Sequence, residues 1–408
     1  MRKISRDELK KVLADIPDNP RVLVSGNFAT PKALLAEFDK TVPNYTLHML
    51  NAQIGIPNRE GVTYESAFVG PGMRNSPRLH YIPSRLSLLP VIIRDHAIPD
   101  IVLIHTSPIR YDTVSLGTEV NILPAAIETV RNRGGIVIAQ ANKNMPYTYG
   151  DAQIYENEID FILEIDEPLA EHKPGHGNKI AESIGARIAE LVKDQSTLQM
   201  GIGAVPDAVL GLLRDRKGLR IWTEMFSDGV LNLQKAGALD EEVPITASFM
   251  FGTKELYEWA NLNRRIQMLR TEKTNDPSLI AKQARMTSVN AALQVDLYDQ
   301  ANASRVNGKI YSGFGGSTDF IVGALHSRGG HSFMALPSWH EKTNTSKIIP
   351  LIDEAVTSFQ HSYVVTENGI ARCFGRSQRE QAQNLITHAA HPKAKEDLAT
   401  AAKNMGLL

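Results

Sequence analysis

The segment RIWTEMFSDGV, residues 220–230, places one carboxylate where an apolar run meets a turn. Ile221 and Trp222 precede Glu224, and a Ser-Asp-Gly turn follows two further apolar residues. A lone glutamate at the end of a strand is most often solvated and has no chemical role. It can also act as a nucleophile, because a free glutamate has a pKa of about 4.3 and is ionised at neutral pH without an activating base. Glu224 is therefore the first candidate for a catalytic residue.

A carboxylate nucleophile suits chemistry on an acyl thioester. Attack on the acyl carbon would form a mixed anhydride and release a thiolate. The thiolate could then attack the glutamyl carbonyl and leave a glutamyl thioester on the enzyme. Both steps develop negative charge on an oxygen, which exposed backbone N–H groups would stabilise.

Two glycine-rich segments are candidates for such donors. In LQMGIGAVPDAV, Gly201 and Gly203 separate a predicted strand from a predicted helix. Helix N-termini favour anions, whereas the alternative is a tight turn that only glycine can form. In YSGFGGSTDFIVGA, Gly315 and Gly316 precede a polar stretch and then an apolar segment. That loop could approach a ligand closely or simply form a β-bulge.

Standard motifs of other enzyme classes are missing from the sequence. The third glycine of a G-x-G-x-x-G fingerprint would fall at Pro206, which argues against a nucleotide-binding dehydrogenase. We find no P-loop, no H-E-x-x-H motif, no cysteine cluster and no G-x-S-x-G elbow. His172 and His176 are separated by Pro174 and Gly175, which prevents the pair from sharing a helical face. We therefore predict no metal site.

Length and composition predict a globular protein with more than one domain. The chain has 408 residues, of which 42% are hydrophobic and 22% charged, and a formal net charge of -1. This balance argues against a nucleic-acid-binding protein. The charged start lacks the features of a signal peptide, no apolar run is long enough to span a membrane, and a single cysteine, Cys373, fits a reducing compartment. We expect a cytoplasmic protein with no membrane or nucleic-acid partner.

Strand-like and helical segments alternate along the chain, which predicts an α/β fold with parallel sheets covered by helices. Candidate strands are residues 21–26, 100–107, 134–142 and 159–166. A helix is predicted from Pro31, with Thr30 as its N-cap. The polar segment 166–179 indicates a linker. We therefore predict an N-terminal domain of residues 1–180 and a C-terminal domain of residues 181–408.

Several segments, taken in order, resemble the acetyl-CoA hydrolase/transferase family, a branch of the class I CoA-transferases. They are TLQMGIGAVPDAV, TEMFSDGV, GTKELYEW, VNAALQVDLYDQ, GFGGSTDF and VTENGIARCFGR, with SGNFATPKALL and AQANKNMPYTYGD in the N-terminal half. The ordered set covers nearly the whole chain. The resemblance implies two open α/β-sheet domains of the CoA-transferase type, an active site at the domain interface, no permanently bound cofactor, and coenzyme A thioesters as substrates.

The resemblance also implies roles for individual residues. Glu224 matches the covalent nucleophile of the family. Asn275 falls near a position whose side-chain amide helps bind the thioester oxygen. The positions that match coenzyme A contacts are Gln199, Met200, Gly201, Ile202, Gly203, Ser312, Gly315, Gly316 and Lys342. Two residues depart from the family pattern: Trp222 stands where relatives often carry His, and Gln294 where many carry Glu. Both departures can change which acid is accepted.

The favoured hypothesis is a CoA-transferase that exchanges CoA between a short-chain acyl-CoA and a free carboxylate by a ping-pong reaction through a glutamyl-CoA thioester. An acyl-CoA hydrolase on the same scaffold is the alternative, and it differs in admitting water to the acyl intermediate. A non-catalytic acyl-CoA-binding protein is a third hypothesis, against which the intact Glu224 argues. Acetate, propionate, butyrate, hydroxybutyrate and succinate all remain candidate acids. The resemblance implies a homodimer or homotetramer.

Overall fold

The computed structural model describes residues 1–14, 16–172, 178–357 and 360–408. Contacts between Cα atoms divide the chain into two compact units. The N-terminal unit comprises Met1–Lys173, Ile245–Thr274 and Ile310–Gly315, and the C-terminal unit comprises Pro174–Pro244, Asn275–Lys309 and Gly316–Leu408. His176 lies outside the described residues, so the argument about its spacing from His172 stays a prediction.

Short strands and helices succeed one another throughout the described chain. The first part contains β1 (Arg2–Lys3), α1 (Arg6–Leu13), β2 (Arg21–Val24), α2 (Lys32–Thr41), β3 (Tyr45–His48), β4 (Val62–Ser66), β5 (Leu79–Tyr81), α3 (Leu89–Asp95), β6 (Ile101–Thr106), β7 (Thr113–Ser115), α4 (Leu123–Asn132), β8 (Ile136–Asn142), β9 (Tyr149–Gly150), β10 (Gln153–Tyr155) and β11 (Phe161–Ile165). The middle part contains α5 (Lys179–Leu191), β12 (Thr197–Met200), α6 (Ala204–Leu212), β13 (Arg220–Ile221), β14 (Met225–Phe226), α7 (Asp228–Lys235), β15 (Ile245–Ala247), β16 (Phe249–Met250), α8 (Lys254–Ala260), β17 (Ile266–Met268), α9 (Thr271–Thr274), α10 (Pro277–Ala281), β18 (Met286–Ala291), β19 (Gln294–Asp296), β20 (Ala301–Asn302), β21 (Arg305–Val306) and β22 (Lys309–Ile310). The last part contains α11 (Ser317–His326), β23 (His331–Ala335), β24 (Trp339–His340), β25 (Thr345–Ser346), β26 (Ile348–Ile349), β27 (Tyr363–Thr366), β28 (Gly369–Arg372), α12 (Gln378–Asn384) and α13 (Lys395–Asn404), with short 3₁₀ or π turns at Leu86–Leu88, Glu156–Glu158, Leu385–Ala389 and Pro392–Ala394.

The N-terminal unit is built on an eight-stranded sheet in the order β1-β11-β8-β6-β2-β3-β4-β5. Every pairing in it is parallel. All six residues of β6, IVLIHT, are buried, as expected for a central strand whose two faces are both covered. The strands predicted from β-branched runs are thus confirmed at β2, β6, β8 and β11.

The helices of the described chain begin in different ways. Asn178 caps α5 by accepting a hydrogen bond from the backbone N–H of Ala181 at 2.8 Å, which is the local signal expected at a helix start. The predicted cap of α2 is wrong, because Pro31 is the N-cap residue and no side chain caps the helix locally. The backbone N–H of Leu34 instead donates to Oε1 of Gln140 at 2.9 Å, so a distant strand residue supplies the acceptor.

Two later segments of the chain belong to the N-terminal unit. Strands β15 and β17 pair in parallel, and β17 pairs with β9. The carbonyl of Ser312 accepts a hydrogen bond from the N–H of Val69 at 2.7 Å, and the carbonyl of Gly315 accepts one from Leu86 at 3.2 Å. The predicted domains, residues 1–180 and 181–408, are contiguous and therefore leave these two later segments out of the N-terminal unit. Long-range pairing leaves no local mark in the sequence, so the sequence could not predict them. The boundary near residue 180 itself stays a prediction.

The C-terminal unit contains a six-stranded sheet in the order β13-β12-β18-β23-β27-β28. Its pairings are parallel except for the antiparallel pair β27 and β28. The predicted sequence of strand, glycine turn and helix is confirmed at β12 and α6. Both units therefore have the predicted α/β class. In the described part of the chain, the helices are too short or too polar to cross a membrane.

Candidate active site

Glu224 lies between the short strands β13 and β14 of the C-terminal unit. The side chain of Thr223 spans this position, because its Oγ1 donates to the carbonyl of Met225 at 2.8 Å and lies 3.4 Å from the carbonyl of Met200. These contacts fix the backbone on both sides of the carboxylate. Glu224 is partly buried rather than exposed, so the alternative of a solvated glutamate at a strand end is not what the structure shows.

Asn275 and Gly316 meet the carboxylate of Glu224. Nδ2 of Asn275 donates to Oε2 of Glu224 at 3.2 Å, and Asn275 is fully buried. A Cβ built at Gly316 would overlap both Oε2 of Glu224 and Nδ2 of Asn275. Gly316 is the N-cap residue of α11, so the carboxylate lies at the start of that helix. The structure thus brings together three residues that lie far apart in the sequence.

Local sequence explains how Asn275 is held. The next residue, Asp276, is the N-cap of α10, and its Oδ1 accepts a hydrogen bond from the N–H of Ser278 at 2.7 Å. Pro277 occupies the first helical position, where a missing N–H costs nothing. The dipeptide Asp-Pro therefore starts a helix immediately after Asn275, and the asparagine is positioned by a defined turn.

The surroundings of Glu224 make its carboxyl group less acidic. Burial raises the pKa of Glu224 to about 7; the hydrogen bond from Asn275 acts in the opposite direction, and the negative charge of Asp319 raises the pKa further. Asp319 is itself fully buried in the first turn of α11. A carboxylate with a raised pKa is a stronger nucleophile when ionised and still ionises near neutral pH.

The loop of residues 199–203 leaves space around its glycines. Gly203 is the N-cap of α6 with a φ of 136°, a conformation that residues with a Cβ rarely adopt. A Cβ placed at Gly201 or Gly203 would meet no atom within 4 Å. Gln199 and Met200 are buried in β12, and Oε1 of Gln199 accepts a hydrogen bond from Ser288 at 2.7 Å. The loop therefore presents backbone at the start of α6, with Ile202 between the two glycines.

Substitution of Gly203 by valine is expected to weaken coenzyme A binding, or slow acylation, by about tenfold. The backbone of Gly203, with φ 136° and ψ 176°, lies in a region that essentially only glycine adopts and that costs other residues about 1–3 kcal/mol. The new side chain would also fill the open space beside the loop backbone. Titration calorimetry with coenzyme A and single-turnover acylation would measure the two effects. Gly211→Ala, in the exposed part of α6 outside the loop, is the control for an added side chain without backbone strain. Unchanged binding and acylation in Gly203→Val would show that the loop is only a turn.

Three further predicted contact residues are Ser312, Gly315, which directly precedes Gly316, and Lys342. Ser312 and Gly315 belong to the N-terminal unit and are bonded to its backbone at Val69 and Leu86. Lys342 is exposed in the segment between β24 and β25. Among the described residues, no contact links Lys342 to Glu224. Roles for these three residues in coenzyme A binding stay predictions.

Two buried residues beside Glu224, Thr223 and Asp319, were not predicted as part of the site. Thr223 and Asp319 lie within quoted motifs, but a buried role could not be inferred without knowing which side chains face Glu224. Trp222 packs against a cluster formed by Ile280, Met286, Phe320 and Ala324. Its ring therefore has a structural contact, and an effect on the acyl pocket stays a prediction. The described residues contain no group of His, Cys, Asp and Glu placed to hold a metal ion.

Comparison with solved structures defines the class of protein. The fold matches the crystal structure of RipA from Yersinia pestis with a TM-score of 0.92, at 29% identity and covering 100% of this chain and 98% of that one. It also matches 4-hydroxybutyrate CoA-transferase from Porphyromonas gingivalis with a TM-score of 0.81, at 30% identity and covering 99% and 98% of the two chains. The fold is thus that of the CoA-transferases.

Sequence comparison then identifies the family. Residues 252–402 match the model of the acetyl-CoA hydrolase/transferase C-terminal domain. The 4-hydroxybutyrate coenzyme A transferase of Clostridium kluyveri is 36% identical over 412 residues, covering 95% of each chain. The chain therefore belongs to the acetyl-CoA hydrolase/transferase family, and the predicted resemblance is confirmed.

Proposed function

We propose that this enzyme is a CoA-transferase that exchanges CoA between a short-chain acyl-CoA and a free carboxylate, with Glu224 as the covalent nucleophile. The main support is the position of Glu224, whose carboxylate lies against Gly316 and the side-chain amide of Asn275. The similarity to 4-hydroxybutyrate CoA-transferases favours short-chain acids as substrates. A homodimer or homotetramer and a cytoplasmic location stay predictions.

The first half-reaction begins with the ionised carboxylate of Glu224. One oxygen attacks the thioester carbonyl, the C–S bond breaks, and CoA leaves as a thiolate, so that a mixed anhydride joins Glu224 to the acyl group. The thiolate then attacks the glutamyl carbonyl and expels the acyl group as a free carboxylate. The product is a glutamyl-CoA thioester on Glu224, and no proton needs to be supplied.

The second half-reaction reverses these steps with another acid. Its carboxylate attacks the glutamyl thioester, CoA leaves as a thiolate, and the thiolate attacks the carbonyl of the new acyl group. Glu224 is released as a carboxylate, and a new acyl-CoA is formed. Charge appears on a carbonyl oxygen in every step, and the amide of Asn275, which already donates to Glu224, is the group that we expect to stabilise it.

The raised pKa of Glu224 predicts how the rate depends on pH. Only the ionised carboxylate can attack, so kcat/KM should rise with pH through a midpoint of about 7 and level off above it. Initial rates measured between about pH 5 and pH 9, with an acyl-CoA whose acyl group does not titrate in this range, would test this prediction. Asp319→Asn removes the negative charge that raises the pKa of Glu224 further, so the midpoint of this variant should lie lower. A midpoint near the ordinary glutamate pKa in both proteins would contradict the proposed environment.

The proposed function is tested by incubating the protein with acetyl-CoA, with and without a panel of short carboxylates, and separating the products by chromatography. A new acyl-CoA that forms only with its parent acid would establish a transferase. Accumulation of free CoA at a rate independent of added acid would instead establish a hydrolase. Coenzyme A binding with neither product, across the whole panel, would support a non-catalytic acyl-CoA-binding protein.

A further inference from the structure

Three polar side chains, Gln199, Ser288 and Asn290, form a polar row inside the six-stranded sheet of the C-terminal unit. Strands β12 and β18 pair in parallel, with Gln199 opposite Ser288. Asn290 lies two residues after Ser288 on β18, so all three side chains are on the same face of the sheet. Gln199 and Ser288 are buried, and Asn290 is half-buried. Buried polar groups need hydrogen-bond partners, so the bonds within this row have to be accounted for.

Two hydrogen bonds run along the polar row in one direction. Nδ2 of Asn290 donates to Oγ of Ser288 at 2.8 Å, and Oγ of Ser288 donates to Oε1 of Gln199 at 2.7 Å. A serine hydroxyl has a single proton, and here that proton is used in the bond to Gln199. The direction of the two bonds therefore decides which end of the Gln199 amide meets Ser288: the oxygen does, and the NH2 group is directed elsewhere.

The NH2 group of Gln199 is the end of the row that lacks a partner. In the part of the chain that the structure describes, no acceptor is bonded to Nε2 of Gln199. The residue is only 6% exposed, and a buried amide normally forms hydrogen bonds through both its oxygen and its nitrogen. Gln199 lies near the carboxyl end of β12, just before the start of α6, and this end of a parallel sheet is where ligands bind. A ligand oxygen would complete the bonding of this amide.

The position of Gln199 relative to the nucleophile limits which ligand oxygen this is. The carbonyl of Met200, the next residue, lies 3.4 Å from Oγ1 of Thr223, which directly precedes Glu224. The amide is therefore close to the segment that carries the nucleophile, where the thioester end of an acyl-CoA would lie. An uncharged NH2 donor suits an uncharged carbonyl oxygen, and within the described residues no cationic side chain is bonded to the polar row.

We propose that Ser288 and Asn290 are positioning residues, which hold the Gln199 amide so that its NH2 group donates to a carbonyl oxygen of the acyl-CoA substrate. Two sources share this chemistry: the thioester carbonyl, and an amide carbonyl of the pantetheine arm. The inference rests on the proposed function, because it takes acyl-CoA as the substrate. It adds two residues of β18 to the site, neither of which is among the contact residues that the sequence predicts.

The test is a double-mutant cycle between positions 199 and 290. Asn290→Asp reverses the direction of the row, because an ionised carboxylate only accepts hydrogen bonds. Ser288 would then donate to residue 290, and Gln199 would turn its NH2 group toward Ser288 and its oxygen toward the ligand. Gln199→Met removes the amide altogether. The wild-type enzyme, both single variants and the double variant are compared at about pH 8, where an aspartate is ionised.

Two quantities are measured for each protein. Calorimetry gives the dissociation constant of coenzyme A, which has the pantetheine amides but no thioester. Single-turnover kinetics gives the rate constant of acylation by saturating acetyl-CoA. A loss of coenzyme A affinity identifies a pantetheine amide carbonyl as the acceptor, and a loss of acylation alone identifies the thioester carbonyl. Thermal unfolding verifies that each variant is folded, and Gln199→Leu replaces Gln199→Met if the methionine variant is not.

We expect one of these quantities to fall by about tenfold in each single variant, as for the loss of one hydrogen bond. The double variant should stay within about threefold of Gln199→Met, because Asn290 has no effect once the amide that it orients is gone. Gln199→Glu should lose the same quantity, since it keeps the acceptor for Ser288 but lacks the NH2 group. Ser288→Ala should likewise have no further effect in the Gln199→Met background. Losses that multiply to about a hundredfold in the double variant, or wild-type values in Asn290→Asp or Gln199→Glu, would overturn the proposal.

Failure of this inference is distinguishable from failure of the proposed function. If the wild-type enzyme exchanged no acyl group with any acid, the transferase assignment would fail. Calorimetry with coenzyme A and with acetyl-CoA needs no turnover, and it would still complete the cycle. Conversely, normal exchange by the wild-type enzyme, together with independent losses at positions 199 and 290, would remove the positioning role and leave the transferase intact.

Discussion

Replacement of Glu224 by glutamine is expected to reduce acyl exchange by roughly 10⁴–10⁶-fold, the scale of loss when a covalent nucleophile is removed. The amide has nearly the same size and can still contact Asn275, but it cannot form the anhydride. Coenzyme A binding should stay within about threefold of wild type, because the glycine loop of residues 199–203 is unchanged. Steady-state exchange rates and calorimetry measure the two quantities. Near-wild-type turnover in this variant or in Glu224→Ala would remove Glu224 from the mechanism.

A stability measurement verifies that the loss is chemical. Because the pKa of Glu224 is raised to about 7 in the folded protein, the folded state binds more protons than the unfolded chain between the ordinary glutamate pKa and about pH 7. The stabilisation that protonated Glu224 contributes to the folded state is fully present below the ordinary glutamate pKa, and it is lost as the pH rises through about 7. The amide of the Glu224→Gln variant does not titrate. The melting temperature of this variant, relative to wild type, should therefore be higher at about pH 8 than at about pH 4.

Substitution of Gly316 by alanine is expected to reduce kcat/KM by roughly 10²–10³-fold. The added Cβ would overlap the carboxylate of Glu224 and the amide of Asn275, so at least one of them must move from its present position. The φ of -94° at Gly316 is acceptable for alanine, which means that backbone strain does not explain the expected loss. Exchange kinetics with acetyl-CoA and an acceptor acid measure the effect.

Gly211→Ala provides the matched control for this substitution. Gly211 lies in α6, is exposed, and a Cβ there would meet no atom within 4 Å. Alanine at this position should stabilise the helix by about 0.5–1 kcal/mol and leave exchange unchanged. Activity of Gly316→Ala within about threefold of Gly211→Ala would contradict the tight approach of the helix start to the nucleophile.

Much of the architecture could be predicted from local sequence. Runs such as IVLIHT in β6 are too uniformly apolar for a surface strand, and they correctly indicate a buried parallel sheet. Asn178 signals the start of α5 through its side chain. Thr30 shows the limit of this reasoning, because an N–H group at the start of α2 is satisfied by Gln140 of a different element. A local rule cannot anticipate a partner that is brought close by folding.

The candidate site likewise combines features that local sequence shows with contacts that only folding creates. The segment that carries Glu224 is visible as a sequence motif, and so is the helix start that follows Asn275. The predicted Ser-Asp-Gly turn is wrong, because Ser227 is the N-cap residue and Asp228 the first residue of α7. Their meeting at Gly316 is not visible, because it depends on the packing of α10 and α11 beside the strand ends of the C-terminal unit. Sequence patterns thus identified chemical groups, and the fold determined which of them act together.

The most direct test of the central claim is to trap the intermediate on Glu224. The enzyme would be incubated with acyl-CoA in the absence of an acceptor acid, reduced with borohydride, digested and analysed by tandem mass spectrometry. We predict that the side-chain carboxyl of residue 224 is converted to the corresponding alcohol in the wild-type enzyme, only when acyl-CoA is present, and that Glu224→Gln shows no such product. Active exchange with an unmodified Glu224, or with reduction at a different residue, would contradict the proposed covalent mechanism.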